Sequence, residues 1–395
     1  MSKVSLSKRI ALEYGFAVRV DNEPAGPYPI YGSNGATGYI GTYKVAGPGV
    51  IIGRKGTVGK VTFSEENFTP TDTAYYLKLL DPELDDIKFW SYFLPKLGLE
   101  KLNTHSAVPG LSREIVYLLE VNIPERSSQL KITEVLSALD KKIEINNKIN
   151  FELESMAKTL FDYWFVQFDF PDANGKPYKS SGGKMVYDKI LSSEIPQGWR
   201  CQHLVNLTSL IQRGISPKYV DDGGVLVLNQ KCIRDQKVSF NDARRHGGRL
   251  EKNDKRLLNI TDILVNSTGV GTLGRVAFIK RLPEREITVD SHVTIVRANQ
   301  ELISPEYLAW SIMRLQPLIE SAANGSTGQV ELSKPFLEEL KIVVPDIKIQ
   351  RKFQSYLNPI IKKLANCEKE SEKLTKLRDW LLPMLMNGQV SVKVK

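Results

Sequence analysis

Gly56-Thr57-Val58-Gly59-Lys60-Val61 returns as Gly271-Thr272-Leu273-Gly274-Arg275-Val276, 215 residues further along the chain. Each copy follows an apolar run (Val50-Ile51-Ile52; Ile263-Leu264-Val265) and precedes a phenylalanine, Phe63 or Phe278. Further matches extend the pair downstream. Thr71-Asp72-Thr73-Ala74 corresponds to Val289-Asp290-Ser291-His292 at an offset of 218. At 221, Leu111-Ser112 meets Leu332-Ser333, Ile123-Pro124 meets Val344-Pro345, and Gln129 meets Gln350. Offsets that drift slowly are what loop insertions produce. The ordered set predicts an internal duplication, in which a globular domain and a long helix are followed by the same unit again.

A chain of 395 residues is long enough for two domains. Hydrophobic residues at 42% and charged residues at 25% allow ordinary packed cores. No stretch approaches the roughly 20 apolar residues of a membrane span. Met1-Ser2-Lys3-Val4-Ser5 carries no apolar signal core, so a cytoplasmic location is expected. Cys201, Cys232 and Cys367 stand far apart, and His105, His203, His246 and His292 never fall at metal-ligand spacing. That pattern argues against a zinc site or a disulfide framework. The net charge of +9 is unevenly spread: residues 1–128 are balanced, 129–168 carry −1, 169–349 carry +4 and 350–395 carry +6. The most basic stretch of a domain is 231–256, with nine basic and four acidic residues. Bulk charge alone does not identify a nucleic-acid partner; only the architecture can.

Ile123-Pro124 and Val344-Pro345 close the two globular parts, and helical patterning begins after each. In the second, Phe353, Leu357, Ile360, Leu364, Cys367, Ser371, Leu374, Leu381 and Leu385 recur at steps of four and three, with Arg378 in one gap. That is a heptad seam. In the first, Ile132, Leu136, Leu139 and Ile143 start a seam that resumes one residue out of phase with Ile149, Leu153, Met156, Leu160 and Trp164. The expected first helix is Leu130–Phe165, and Pro383 should end or kink the second near its last turn. One-sided helices need partners. The nearest partner for each is the other copy, paired antiparallel. The expected boundaries are 1–128 for domain 1, 129–168 for helix 1, 169–349 for domain 2 and 350–395 for helix 2. The fold class is α+β: two mixed, strand-rich domains joined by two long antiparallel coiled-coil helices, with a pseudo-twofold internal duplication.

In the globular halves, short apolar runs alternate with turn residues, as in Tyr28-Pro29-Ile30-Tyr31, Gly32-Ser33-Asn34-Gly35 and Gly38-Tyr39-Ile40. Helices are expected at Ile87–Leu94 and Pro305–Ala322. Gly269-Val270-Gly271-Thr272-Leu273-Gly274 fits the dinucleotide fingerprint in letters only. The strand-like Arg275-Val276-Ala277-Phe278-Ile279 follows it where that site requires a helix. Both glycine stretches therefore read as turns between strands. No phosphate loop occurs, nor the Asn-Pro-Pro-aromatic constellation of amino-methyltransferases, and Glu65-Glu66, Asp85-Asp86 and Glu338-Glu339 read as solvated surface. The chain by itself is expected to be non-catalytic. The aromatic run Leu160–Phe170 is too rich in large side chains for a free surface and should dock on domain 2.

Four features suit DNA. Arg54, Lys55 and Lys60 flank the first glycine turn, while Asn266, Ser267, Thr268 and Arg275 flank the second. Ser33 and Asn34 sit in a polar turn that equally fits a structural hairpin. Asn229, Gln230, Lys231 and Arg234 run toward Arg244 and Arg245, and their plainer reading is a solvated loop. Small residues admit a phosphate to the backbone, and Arg, Asn and Gln address base edges.

The layout resembles the specificity subunit of type I restriction-modification systems over the whole chain. The residues that carry the likeness are Tyr28–Gly35, the paired glycine turns and Ile195-Pro196-Gln197-Gly198-Trp199. The helix tails Leu160–Phe165 and Leu381-Leu382-Pro383-Met384-Leu385-Met386-Asn387-Gly388 add to it. One departure is that the first domain lacks a counterpart of the Pro-x-Gly-Trp lead-in. The resemblance implies that each domain reads half of a split double-stranded DNA target while the helices set the spacer. It also implies two methyltransferase subunits that flip and methylate adenines with S-adenosylmethionine, and motor-nuclease subunits. S-adenosylmethionine, ATP and Mg would belong to those partners, with no cofactor in this chain and no membrane involved. Two other readings stay open here: a DNA-binding chain with its own catalytic activity, and a purely structural coiled-coil scaffold.

Overall fold

The computed structural model describes residues 2–18, 25–102, 110–323 and 331–392; His105, counted above among the histidines, lies outside them. Its helices are α1 (Ile87–Phe93), α2 (Arg113–Tyr117), α3 (Arg126–Phe161), α4 (Pro305–Arg314), α5 (Gln316–Ala323), α6 (Lys334–Glu338) and α7 (Ile347–Met386). The chain divides into two compact units. Unit 1 comprises Met1–Asn146 and Glu370–Lys395, and unit 2 comprises Asn147–Lys369.

Unit 1 is organised around an antiparallel sheet of Ile10–Tyr14, Ala74–Leu79, Gly49–Gly53 and Val61–Ser64, in that spatial order. Gly49–Gly53 is buried at every position, which is why its run is apolar without alternation. A second sheet holds the hairpin Tyr28–Gly32/Gly35–Ile40, with Thr69–Pro70 parallel to its first strand. A third pairing joins Ser2–Ser5 to Glu120–Ile123. The core gathers Val50, Ile52, Tyr75 and Leu77 from the sheet and Phe89, Trp90 and Phe93 from α1. Ile132 and Leu136 of α3 and Leu385 and Met386 of α7 complete it.

Unit 2 repeats the plan. Its main sheet orders Thr208–Arg213, Val293–Ala298, Ile263–Asn266 and Val276–Phe278. Its second sheet again has a parallel pair, Val225–Leu228 with Ile287–Val289. Arg200–His203 pairs with Lys341–Val344 as Ser2–Ser5 pairs with Glu120–Ile123. The matched glutamines also do the same work. Gln129 accepts from Asp86 N and donates to Pro124 O, and Gln350 accepts from Ser304 N and donates to Pro345 O. Each fully buried amide thereby ties the start of a long helix to the cap of the helix packed beside it.

Within unit 1, Asp140 of α3 receives Arg378 of α7 at 2.7 Å, and Asn146 donates to Glu370 at 2.8 Å. One number rises as the other falls, so the segments run antiparallel. Within unit 2, Phe161 packs on Phe353 at 5.8 Å, and Lys280 bridges Glu154 and Glu368 at 3.0 and 3.3 Å. The direction is again antiparallel. The expected phase slip in the first seam does not occur. Asn146, Asn150 and Ala157 are buried, whereas Met156 is 60% exposed. The steps of four and three run unbroken from Ile132 through Leu136, Leu139, Ile143, Asn146, Asn150, Leu153 and Ala157.

Other expectations shift in detail. α3 begins one turn before Leu130 and gives way after Phe161 to a wider π-turn, Asp162–Val166. Pro305–Ala322 is two helices rather than one, broken at Leu315, because Pro317 has no N–H to donate to Met313 O, which accepts from Gln236 instead. α7 passes Pro383 and stops three residues later, with Gly388 in the left-handed region. Asp85-Asp86 is not solvated surface. Asp85 forms a buried bidentate pair with Arg9, and Asp86 caps α1 by accepting from Phe89 N. The aromatic run packs within unit 2, where Phe161, Trp164, Phe165 and Phe170 are buried with Trp199, Tyr307 and Phe353.

Candidate nucleic-acid interface

Both glycine stretches are turns between adjacent antiparallel strands, and the same bonds close them. Gly53 N donates to Lys60 O and Gly59 N to Gly53 O; Asn266 N donates to Arg275 O and Gly274 N to Asn266 O. Their outer ends are also matched, since Lys55 bridges Gly110 and Thr268 bridges Glu331. Arg54 N donates to Thr73 O as Ser267 N donates to His292 O. These bonds set the offset here at 219, so Thr71 corresponds to Asp290 and the match made from letters alone was one residue out.

Each turn lies beside a second polar turn that follows the first strand of the parallel pair. In unit 1, Lys60 Nζ donates to Asn34 O and Oδ1 at 2.7 and 2.8 Å. In unit 2, Asn266 Nδ2 donates to Gln230 O and Thr272 O, both at 3.0 Å. Thr71 N donates to Tyr31 O as Asp290 N does to Leu228 O, which makes Ser33 and Asn34 the counterparts of Gln230 and Lys231. The structure thus brings most of the candidates into one polar edge per unit.

The side chains differ in what they present. Asn34, Lys55, Lys60, Lys231 and Arg244 are exposed, and Ser33, Gln230, Thr268 and Arg275 are half-buried. Arg54 is held by two bonds to Asp72 O and lies over Tyr14, which Arg113 also faces at 4.9 Å. Thr268 shares a 2.6 Å hydrogen bond with His292 Nδ1, and Arg275 donates to Gly271 O. Three residues are turned inward. Asn229 caps the short turn Gln230–Cys232, Ser267 bonds Thr294 at 2.5 Å, and Asn266 is fully buried as the brace described above. These three shape the edge instead of presenting polar atoms to a ligand.

Two arginines are drawn away. Arg245 is bound to Glu284. Arg234 sits on the hairpin Ile233–Arg234/Lys237–Val238, whose Gln236 donates to Met313 O and whose Lys237 pairs with Glu154 of α3. Tyr14, Arg113, Tyr219, Val270 and His292 were not singled out from sequence. Arg244 stacks on Tyr219 at 3.5 Å, and Tyr219 reaches Asp290 at 3.4 Å. Only Val270 had a local signal, as an apolar residue between two glycines.

Burial raises the Asp290 carboxyl above its ordinary range, against the opposing pull of the His292 amide. The folded protein therefore holds this proton more tightly than the unfolded chain does. The contribution of this group to stability is greatest below the ordinary carboxylate range, falls as pH climbs through the raised value, and stays reduced at neutral pH. Asp290→Asn should raise the melting temperature at pH 7, because Thr71 already fills this place in unit 1 without charge. The gain should shrink as the pH is lowered toward 4. A shift independent of pH would mean that charge burial is not its cause.

Among the described residues, no helix is long and apolar enough to cross a membrane and no group of His, Cys, Asp and Glu could hold a metal ion.

Residues 17–155 and 223–376 match the family model described as the type I restriction modification DNA specificity domain. The type I restriction enzyme MjaIX specificity subunit of Methanocaldococcus jannaschii is 24% identical over 355 residues, covering 87% of this chain and 78% of that protein. The HindI specificity subunit of Haemophilus influenzae is 23% identical over 332 residues, 71% of each chain. The crystal structure of a type I restriction-modification S subunit from M. genitalium superposes with a TM-score of 0.65 at 17% identity. It covers 100% of this chain and 96% of that one, which shows a shared fold.

Proposed function

We propose a function from the premise that this chain belongs to the type I restriction modification DNA specificity family: each unit reads one half of a divided double-stranded DNA target. The observation that carries this reading is the duplicated polar edge. The two copies share strand order, closing bonds and glutamine ties, yet they present different side chains. A common frame with divergent tips is what two unlike half-sites require.

Lys55, Lys60, Lys231 and Arg244 supply charge for phosphates, which positions the duplex. Asn34, Gln230 and Arg275 are of the types that address base edges. Donors, amides and one aliphatic tip suit reading rather than covalent chemistry, so methylation and cleavage fall to partner subunits. Two modification subunits would bring S-adenosylmethionine, and motor-nuclease subunits would bring ATP and Mg. Exposed apolar residues on the long helices offer contact area for such partners, Phe151, Met156 and Tyr356 in unit 2 and Leu377 and Trp380 in unit 1. Linking two short readings in one chain multiplies their selectivity by effective concentration.

The test is to map modified bases in a host carrying the gene with its partner methyltransferase, and in the same host without it. A two-part modified motif should vanish when the gene is removed. Persistence of every such motif would overturn the reading.

A further inference from the structure

Val270 is 91% exposed, more than any other large hydrophobic residue among those described. It stands between Gly269 (φ 108°) and Gly271 (φ 73°) at the tip of the second unit's turn. That turn is longer than its counterpart. The closing bonds equate Gly53 with Asn266 and Lys60 with Arg275, which leaves two extra residues, Gly269-Val270, in the second copy.

The tip is a built structure. Thr272 N and Leu273 N both donate to Gly269 O, and Arg275 Nη2 donates to Gly271 O at 2.8 Å. The buried Asn266 amide braces the base against Gln230 O and Thr272 O. A Cβ on Gly269 would lie 2.5 Å from Thr272 Oγ1, so the close approach depends on glycine. Val270 is β-branched and has little rotamer freedom to lose on contact. An aliphatic side chain held out into water gains free energy only when an apolar surface covers it. In the major groove, the base edges are hydrogen-bonding groups except for the C5-methyl of thymine.

We propose that Val270 is a specificity-determining residue of the second unit, recognising the C5-methyl group of a thymine in the half-site that unit reads. This rests on the DNA-reading function proposed above. Lys231, on the adjoining turn, supplies the neighbouring positive charge.

The test uses the full chain in complex with its modification subunits, on the target found by mapping modified bases. Duplexes carrying deoxyuridine in place of each thymine of the second half-site, one at a time, compete for binding. At one position, loss of the methyl group should weaken binding by the intact protein about fourfold, the value of one buried methyl. Val270→Ala should bind the thymine duplex more weakly by a similar factor and be indifferent to that methyl. Val270 touches no core residue, so an unchanged melting temperature will confirm that the variant is folded. The proposal is overturned if no deoxyuridine position distinguishes the two proteins, or if the half-site contains no thymine on either strand. Absence of sequence-selective binding by the intact complex would instead overturn the DNA-reading function itself.

Discussion

Replacing Phe353 with alanine should destabilise unit 2 by about 3–5 kcal/mol, the usual cost of emptying a large aromatic site. Phe353 is fully buried, with Phe161, Trp164 and Phe165 at 5.8, 5.8 and 4.9 Å between ring centroids. These rings come from α7, the end of α3 and the π-turn after it. Their neighbours cannot close the gap without moving the helix that carries them. Denaturant titration followed by tryptophan emission would report the change, because Trp164 lies against the vacated site. A loss below about 1 kcal/mol would mean that the aromatic cluster re-forms around the cavity and does not fix the helix pair.

The second large effect is expected at the inner glycines of the two turns. Gly59 and Gly274 have φ of +75° and +80°, and a Cβ would come within 2.4 Å of Glu100 N and 2.8 Å of Glu320 Cα. Alanine there combines a left-handed backbone with overpacking, about 2–5 kcal/mol in sum. Because both half-sites must be read together, Gly59→Ala or Gly274→Ala alone should abolish modification of the whole target. Gly271→Ala is the control, since its Cβ meets nothing within 4 Å and only the backbone term of about 1–2 kcal/mol remains. Equal behaviour of Gly271→Ala and Gly274→Ala would remove close packing as the reason for glycine.

The features legible in the sequence are those whose signal is local. The glycine turns, the proline-closed strands and the seam of α7 depend on residues that few alternatives can replace. What burial decides is not legible there. Asn146 and Asn150 occupy seam positions in α3, so a search for apolar residues slid onto Met156, which faces solvent. Asp85 looked like surface because its bidentate partner, Arg9, is 76 residues away. At the candidate interface, the positions were legible but the direction of the side chains was not. Asn266 and Lys60 are both polar neighbours of a glycine turn, yet one is fully enclosed and the other exposed. Beyond the turn the second copy is longer again, because Gly56 and Thr71 are 15 positions apart and Gly271 and Asp290 are 19 apart, and that insertion displaced the register.

The division of the chain into units has a consequence for its synthesis. Unit 2 is encoded in one uninterrupted stretch, whereas the core of unit 1 includes Leu385 and Met386. On the ribosome, the first unit to begin is therefore the last to be finished. At roughly 5–20 residues per second, the stretch between Asn146 and Glu370 imposes a wait of about 10–45 s. Throughout that interval Ile132 and Leu136 lack part of their cover, while the later-born unit can already close. A message cut short near its end would leave the amino-terminal unit, not the carboxy-terminal one, exposed to proteases and chaperones.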